Sequence, residues 1–277
     1  MGVDTDLDGL RKGLICIGSA SGQLQSLVQL TASLAAGTAC HRFFNGYFLQ
    51  RNEAGEVIGN TGSSLTIFEE NGYSVALGVE VSGRSRPHET CSVSQDMIVA
   101  LLSDCSVHFE IFRSTDEAGG VFQHDSKVAH HRTTVLRRGE AMFLDGMRDH
   151  VLAWSDKPYV FLAVIRKKTA RYLAERHDSI TGRALYATAA NQHLSRLQHV
   201  CDYIAHYGYA ELVPVLQALS KHPAHFIRWK AAEALLNIDF DAGLRTIFQL
   251  CSDSHQHIAD AAQLALKQLQ RASVACH

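Results

Sequence analysis

The chain has 277 residues, 46% hydrophobic and 19% charged, which is enough to bury a sizeable core and long enough for two domains. A formal net charge of -2 gives no global attraction to phosphate backbones or anionic membrane surfaces, so nucleic acid and membrane are disfavoured as partners. Seven cysteines, an odd number with no Cys-x-x-Cys pair, argue against a disulfide framework and a structural zinc knuckle and for a reducing, cytoplasmic setting.

Taken in chain order, Leu14 to Ile17 predicts a short strand and Gly18 to Gly22 a turn. Leu24, Leu27, Val28, Thr31 and Leu34 then share one helical face, which Gly37 ends. Phe43 to Gln50, Ser64 to Glu69, Tyr73 to Val81, Met97 to Leu102 and Val107 to Phe112 are strand-length runs rich in aromatic and branched residues. The Asn71-Gly72 pair between two of them is a strong hairpin signal. A polar insert follows between Phe112 and Val135 and carries His124, His130 and His131, of which adjacent residues on a strand cannot both face inward. Three further short strands, Ala141 to Leu144, Val151 to Trp154 and Val160 to Ile165, are separated by turns. Many short, turn-punctuated strands favour an antiparallel barrel or jelly roll.

Beyond Lys168 the strand pattern gives way to helical periodicity and an internal repeat. Ile227, Ala231 and Leu235 recur as Ile258, Ala262 and Leu266 at an offset of 31, and Val213, Leu216 and Leu219 recur as Leu244, Ile247 and Leu250 at the same offset. A weaker unit runs from Gln192 to Ala205. Each unit reads as a helical hairpin that needs stacking to bury both faces. With His222-Pro223-Ala224-His225-Phe226 and Asp253-Ser254-His255-Gln256-His257 as openings, the pattern resembles HEAT repeats. That resemblance implies a protein-binding surface within residues 169–277, with packing against the barrel as the bland alternative.

The spacing Gly139-x6-Gly146-x3-His150 resembles the second sequence motif of the cupin family, and the resemblance covers residues 40–168. Arg86-Pro87-His88-Glu89-Thr90, followed by Asp96 and the strand after it, is similar to the first motif, with Thr90 where the second histidine would stand. The resemblance implies an α+β chain of three parts: an N-terminal strand and helix segment (1–39), a cupin-like jelly-roll barrel (40–168) and an all-α HEAT-like domain (169–277). It implies a divalent metal, Fe first, held by His88, Asp96 and His150, the two-histidine, one-carboxylate set of non-haem Fe(II). Glu89 is the alternative carboxylate, set aside because neighbouring strand residues face opposite ways. Arg86 and Arg148, with Arg84 beside them, are candidate clamps for a substrate carboxylate.

Hydrolase-elbow, phosphate-loop, His-Glu-x-x-His and dinucleotide signatures do not occur in the sequence. Two functions stay open. One is a metal-dependent, oxygenase-like enzyme acting on a small anionic molecule. The other is a non-catalytic adaptor or sensor whose helical repeats grip a partner protein. An exposed barrel edge would also give a reason for homodimer pairing.

Overall fold

The computed structural model describes residues 4–17, 23–38, 64–80, 85–114, 122–168 and 171–275. The expected Gly18 to Gly22 turn, the Phe43 to Gln50 strand and Arg84 lie outside the described residues. Two compact units divide the chain, Met1–Ala187 and Thr188–His277.

The first unit begins with helix α1 (Asp4–Ile17), a 3-10 turn (Leu24–Leu27) and helix α2 (Val28–Ala36). Leu14 to Ile17 is therefore helical and not the expected strand. Leu7, Leu10 and Leu14 recur at three-and-four spacing, and burying that stripe overrides the local strand preference. Asn71 Nδ2 donates to the carbonyl of Leu14 at 3.2 Å, giving the last turn of α1 an external partner.

Eleven strands follow among the described residues: β1 (Ser64–Glu70), β2 (Tyr73–Glu80), β3 (Glu89–Ser92), β4 (Met97–Leu101), β5 (Val107–Ser114), β6 (Val128–Leu136), β7 (Ala141–Leu144), β8 (Asp149–Trp154), β9 (Tyr159–Arg166), β10 (Leu173–Asp178) and β11 (Ala184–Ala189). They form two antiparallel sheets, ordered β1-β2-β9-β4-β7 and β11-β10-β3-β8-β5-β6. The hairpin read from Asn71-Gly72 is present: Glu70 pairs with Tyr73, and φ of +47° and +81° at the two turn residues supplies the left-handed backbone that a two-residue hairpin requires. The polar insert is shorter than expected. Val128–Leu136 forms the edge strand β6, on which His130 and His131 are exposed, as suits a polar sheet edge.

Each sheet's two faces separate cleanly. Tyr73, Val75, Leu77, Ile98, Leu162 and Val164 of the first sheet meet Leu10, Leu14, Leu24 and Leu34 from the N-terminal helices. Its opposite face contributes Val99, Leu101, Met142, Leu144 and Tyr159, which meet Val107, Phe109 and Ile111 of the second sheet and Val93 just after β3, with Val151 and Ala153 packed alongside. The space between the sheets is thus filled by apolar side chains.

Residues from 173 to 189 form β10 and β11, and β10 pairs with β3. The expected boundary at residue 169 is corrected accordingly: the compact helical unit starts at Thr188. Alternation in β10 escapes a hydrophobicity reading because the residues it buries, Glu175 and His177, are polar.

The second unit contains α3 (Gln192–Tyr207), a 3-10 turn (Ala210–Leu212), α4 (Val213–Leu219), α5 (His225–Ile238), α6 (Phe240–Leu250) and α7 (Gln256–Ala275). Asn191 and Asp239 cap α3 and α6 through their side-chain oxygens, and Gly208 ends α3 at φ +71°. The repeat positions Ala231, Leu235, Ile247, Ile258 and Ala262 are buried in two clusters, and Ile227 is buried as well. Close approach of α5 and α6 depends on Gly243, where an added Cβ would fall 2.4 Å from the backbone nitrogen of Leu236. Successive turns are also tied together: Arg228 donates to both carboxylate oxygens of Asp253 at 2.7 and 2.5 Å, and the rings of His225 and His255 stack at 3.7 Å.

Two outcomes follow for this unit. Gly243→Ala is expected to lower stability by about 1–3 kcal/mol through overpacking, read as a lower urea midpoint at unchanged slope. Burial, then the charges of His255, Arg228 and His257, push His225 down to about 4 against the opposing pull of Asp253. An unfolded histidine titrates near 6.5, so as pH falls the unfolded chain takes up its proton first. The contribution of a neutral His225 is whole above about pH 6.5 and is lost on descending toward 4. Urea midpoints of wild type and His225→Asn should converge across that window, and a constant gap would remove His225 as the source.

Candidate metal centre

Three neighbouring strands of the second sheet carry the chemistry. In the ladder, Ser92 of β3 stands opposite His150 of β8, and Thr90 of β3 stands opposite His177 of β10. Directly opposed residues share a face, and residues two apart along a strand share it too. His150, Ser92, Thr90, Glu175 and His177 therefore lie on one face. Val151 and Ala153 belong to the apolar filling between the sheets, so this face is the one turned away from the other sheet. His150 was expected to point into the barrel. It points to the outside of the second sheet, and the inward place beside it goes to Asp149, whose carboxylate accepts from Arg113 Nε at 2.9 Å and from the Asp145 amide at 3.0 Å.

The ligand-capable atoms of His150, Glu175 and His177 all lie within 4.8 Å of one another. The three residues are 0%, 9% and 1% exposed. The two rings meet edge to face at 4.8 Å. Burial, then the charges of Arg171 and His177, push His150 down to about 3, and burial followed by Arg171 pushes His177 down to about 4. Both imidazoles are consequently neutral at physiological pH, the form that ligates a metal. Burial raises the Glu175 carboxyl above its ordinary range, outweighing the opposing pull of Arg171.

Supporting contacts fix this cluster. Ser92 Oγ accepts from the Glu175 amide at 2.9 Å, Ser126 Oγ lies 3.3 Å from His177 Nε2, and Arg171 Nη1 lies 3.4 Å from His150 Nε2 and 3.3 Å from Glu175 Oε2. Arg171 Nη2 also donates to the carbonyl of Met147. The Nδ1 atoms of His150 and His177 and the Nε of Arg171 are buried without a protein partner. Buried polar atoms seldom lack a protein partner, and a ligand site is one of the few physical reasons for it. Two neutral imidazoles and a carboxylate at this spacing fit a divalent transition metal.

The structure groups only one of the three expected ligands, His150, with other donors. His88 is exposed; its carbonyl accepts from the Ser179 amide at 2.8 Å. Asp96 is buried but engaged elsewhere, accepting from the Gly146 amide at 3.0 Å and facing Arg166 Nη1 at 3.4 Å. That contact holds the Gly146 turn so close that a Cβ there would lie 2.4 Å from the backbone of Gln95. Glu89 accepts from the Tyr186 hydroxyl at 2.9 Å. Arg86 already clamps a carboxylate of its own chain, that of Glu110 at 2.7 and 2.6 Å, and reaches Ser179 at 3.0 Å; Arg148 is exposed. Glu175 and His177 were missed, although their two-residue spacing is the signal of a shared strand face. Thr90, standing where a motif histidine would be, faces His177 across the ladder, so the imidazole comes from one strand over.

No protein-family profile and no curated protein matches the chain. Similar solved structures include a hydroquinone 1,2-dioxygenase PnpCD in complex with Cd2+ and 4-hydroxybenzonitrile (16% identity, 41% of this chain and 69% of that chain, TM-score 0.29). Others are a mannose-6-phosphate isomerase homologue from Ralstonia eutropha JMP134 (21%, 41% and 91%, 0.27) and a cupin-2 domain containing protein from Shewanella frigidimarina (14%, 41% and 89%, 0.25). These neighbours include cupin-superfamily proteins, and at such scores nothing about the chemistry of this chain is taken from them. No helix among the described residues is long and apolar enough to cross a membrane.

The reassignment of Asp96 and His88 has a direct consequence. Asp96→Ala is expected to cost about 1–3 kcal/mol, because it leaves the buried Gly146 amide without its acceptor. His88→Ala should stay within about 0.5 kcal/mol, as exposed positions do. Thermal melts of the two variants check both.

Proposed function

We propose that this chain is a metal-binding protein on a cupin-like jelly roll, with a divalent ion held by His150, Glu175 and His177 and a small anionic ligand recognised beside it. The strand order supports the jelly roll: β2-β9-β4-β7 facing β3-β8-β5-β6 is the arrangement that two Greek keys produce. The observation that carries the metal reading is the buried His150, Glu175 and His177 group, with both Nδ1 atoms lacking partners. When bound, an ion such as Fe(II) in a two-histidine, one-carboxylate set keeps open positions and polarises what binds there. The residues around it do the rest: Ser126 orients the His177 ring, Ser92 anchors the backbone of β10, and the apolar neighbours Phe112, Val128 and Leu152 keep that sheet face dry.

Of the two functions left open, sensing stands ahead of turnover. The ligands are almost wholly buried, and an arginine already occupies the space beside two of them. The second unit fits the adaptor half of that reading, since its helices repeat at an offset of 31 and bury most of the repeated positions, with Val213, Leu219 and Leu266 partly buried against them. We read these hairpins as HEAT-like and assign them the protein partner.

Metal analysis of the full chain purified without chelator tests the site. Wild type is expected to carry about one divalent ion per chain, and His150→Ala, Glu175→Ala and His177→Ala are each expected to lose most of it, while His88→Ala retains it. Metal content indifferent to all three substitutions would sink the assignment.

A further inference from the structure

We infer that Arg171 competes with the metal for His150 and Glu175, so that the ion enters only as the guanidinium leaves. This rests on the metal reading above and adds a residue that opposes it. A guanidinium has donors and no acceptor, so the Arg171 N–H that faces His150 Nε2 at 3.4 Å requires a lone pair there. The neutral ring then carries its proton on Nδ1. In that state His150 has nothing to offer an ion: one nitrogen is protonated and the other is covered. Ligation through Nε2 needs the guanidinium to vacate the lone pair. Ligation through Nδ1 needs the proton to move to Nε2, which would aim one N–H at another, and Arg171 must again withdraw. Both routes lead to the same exchange.

Glu175 obeys the same logic, because its Oε2 lies 3.3 Å from the same Arg171 nitrogen. A cation is thus already seated between two of the three ligands, in the position where a divalent ion would be attracted. Its hold is incomplete. Arg171 Nε is buried without an acceptor, so the guanidinium is under-satisfied where it sits and loses less on departing than a fully bonded one would. The anchor to the Met147 carbonyl ties the same side chain to the turn just before β8, so its withdrawal would also release that turn.

The test is Co(II) binding by the full-length protein, followed by calorimetry, for wild type, Arg171→Gln and Arg171→Lys, with folding verified by circular dichroism. Removing the competing cation is expected to tighten binding at least about tenfold in Arg171→Gln, with Arg171→Lys in between. Wild type binding Co(II) with Arg171→Gln no tighter would overturn the inference and leave the metal site standing. No binding by either folded protein would remove the site itself, and the inference with it. Should Arg171→Gln fail to fold, the 15N signals of the His150 ring in metal-free wild type decide: a proton on Nδ1 supports the competition, and a proton on Nε2 refutes it.

Discussion

Alternation of side chains along β8 is the constraint on which the site depends. Val151 and Ala153 go to the apolar filling between the sheets, and a strand has only two faces, so His150 must go to the other. Pairing carries that choice sideways. Ser92 and Thr90 follow His150 on β3, and His177 and Glu175 follow on β10, until three strands present one polar row on the outside of the sheet. The same rule keeps polar donors out of the interior, where they would be left without partners at a cost of about 1–3 kcal/mol each.

Much of the first unit was legible from local chemistry. Branched and aromatic runs located seven of the described strands to within two residues at their described ends, and Asn71-Gly72 announced its turn because few residue pairs tolerate two consecutive positive φ angles. The turn around Gly146 was also legible, and His150, singled out in the sequence, stands among the ligand-capable side chains that the structure groups. Its direction was not. Which face a strand buries depends on the sheet opposite, and that information lies dozens of residues away.

The two donors of the candidate centre that the sequence reading passed over and the two expected ones that the structure places elsewhere share a cause. Glu175 and His177 occupy buried strand positions normally given to apolar residues, so a search for hydrophobic alternation passes over them. Asp96 and His88 matched a motif by spacing, but spacing does not reveal what a side chain is bonded to. Asp96 is committed to a glycine amide, and His88 lies in solvent. In the helical unit the reading fared better, because Ala231 and Leu235 and their counterparts Ala262 and Leu266 report a periodicity that packing then uses directly. His225 and His255, one in each of the two openings read from the repeat, stack their rings.

The order of the strands has a consequence during synthesis. β8 leaves the ribosome ahead of β10, and domains settle from the amino-terminal end as the chain emerges. The nascent polypeptide can close its two-layered core around Val151 while His150 still faces water with no companions. Only when the segment carrying Glu175 and His177 docks against β3 do the carboxylate and the second imidazole arrive, so the group is assembled after the scaffold that bears it, and a chain halted before that segment would hold its packed sheets with His150 alone.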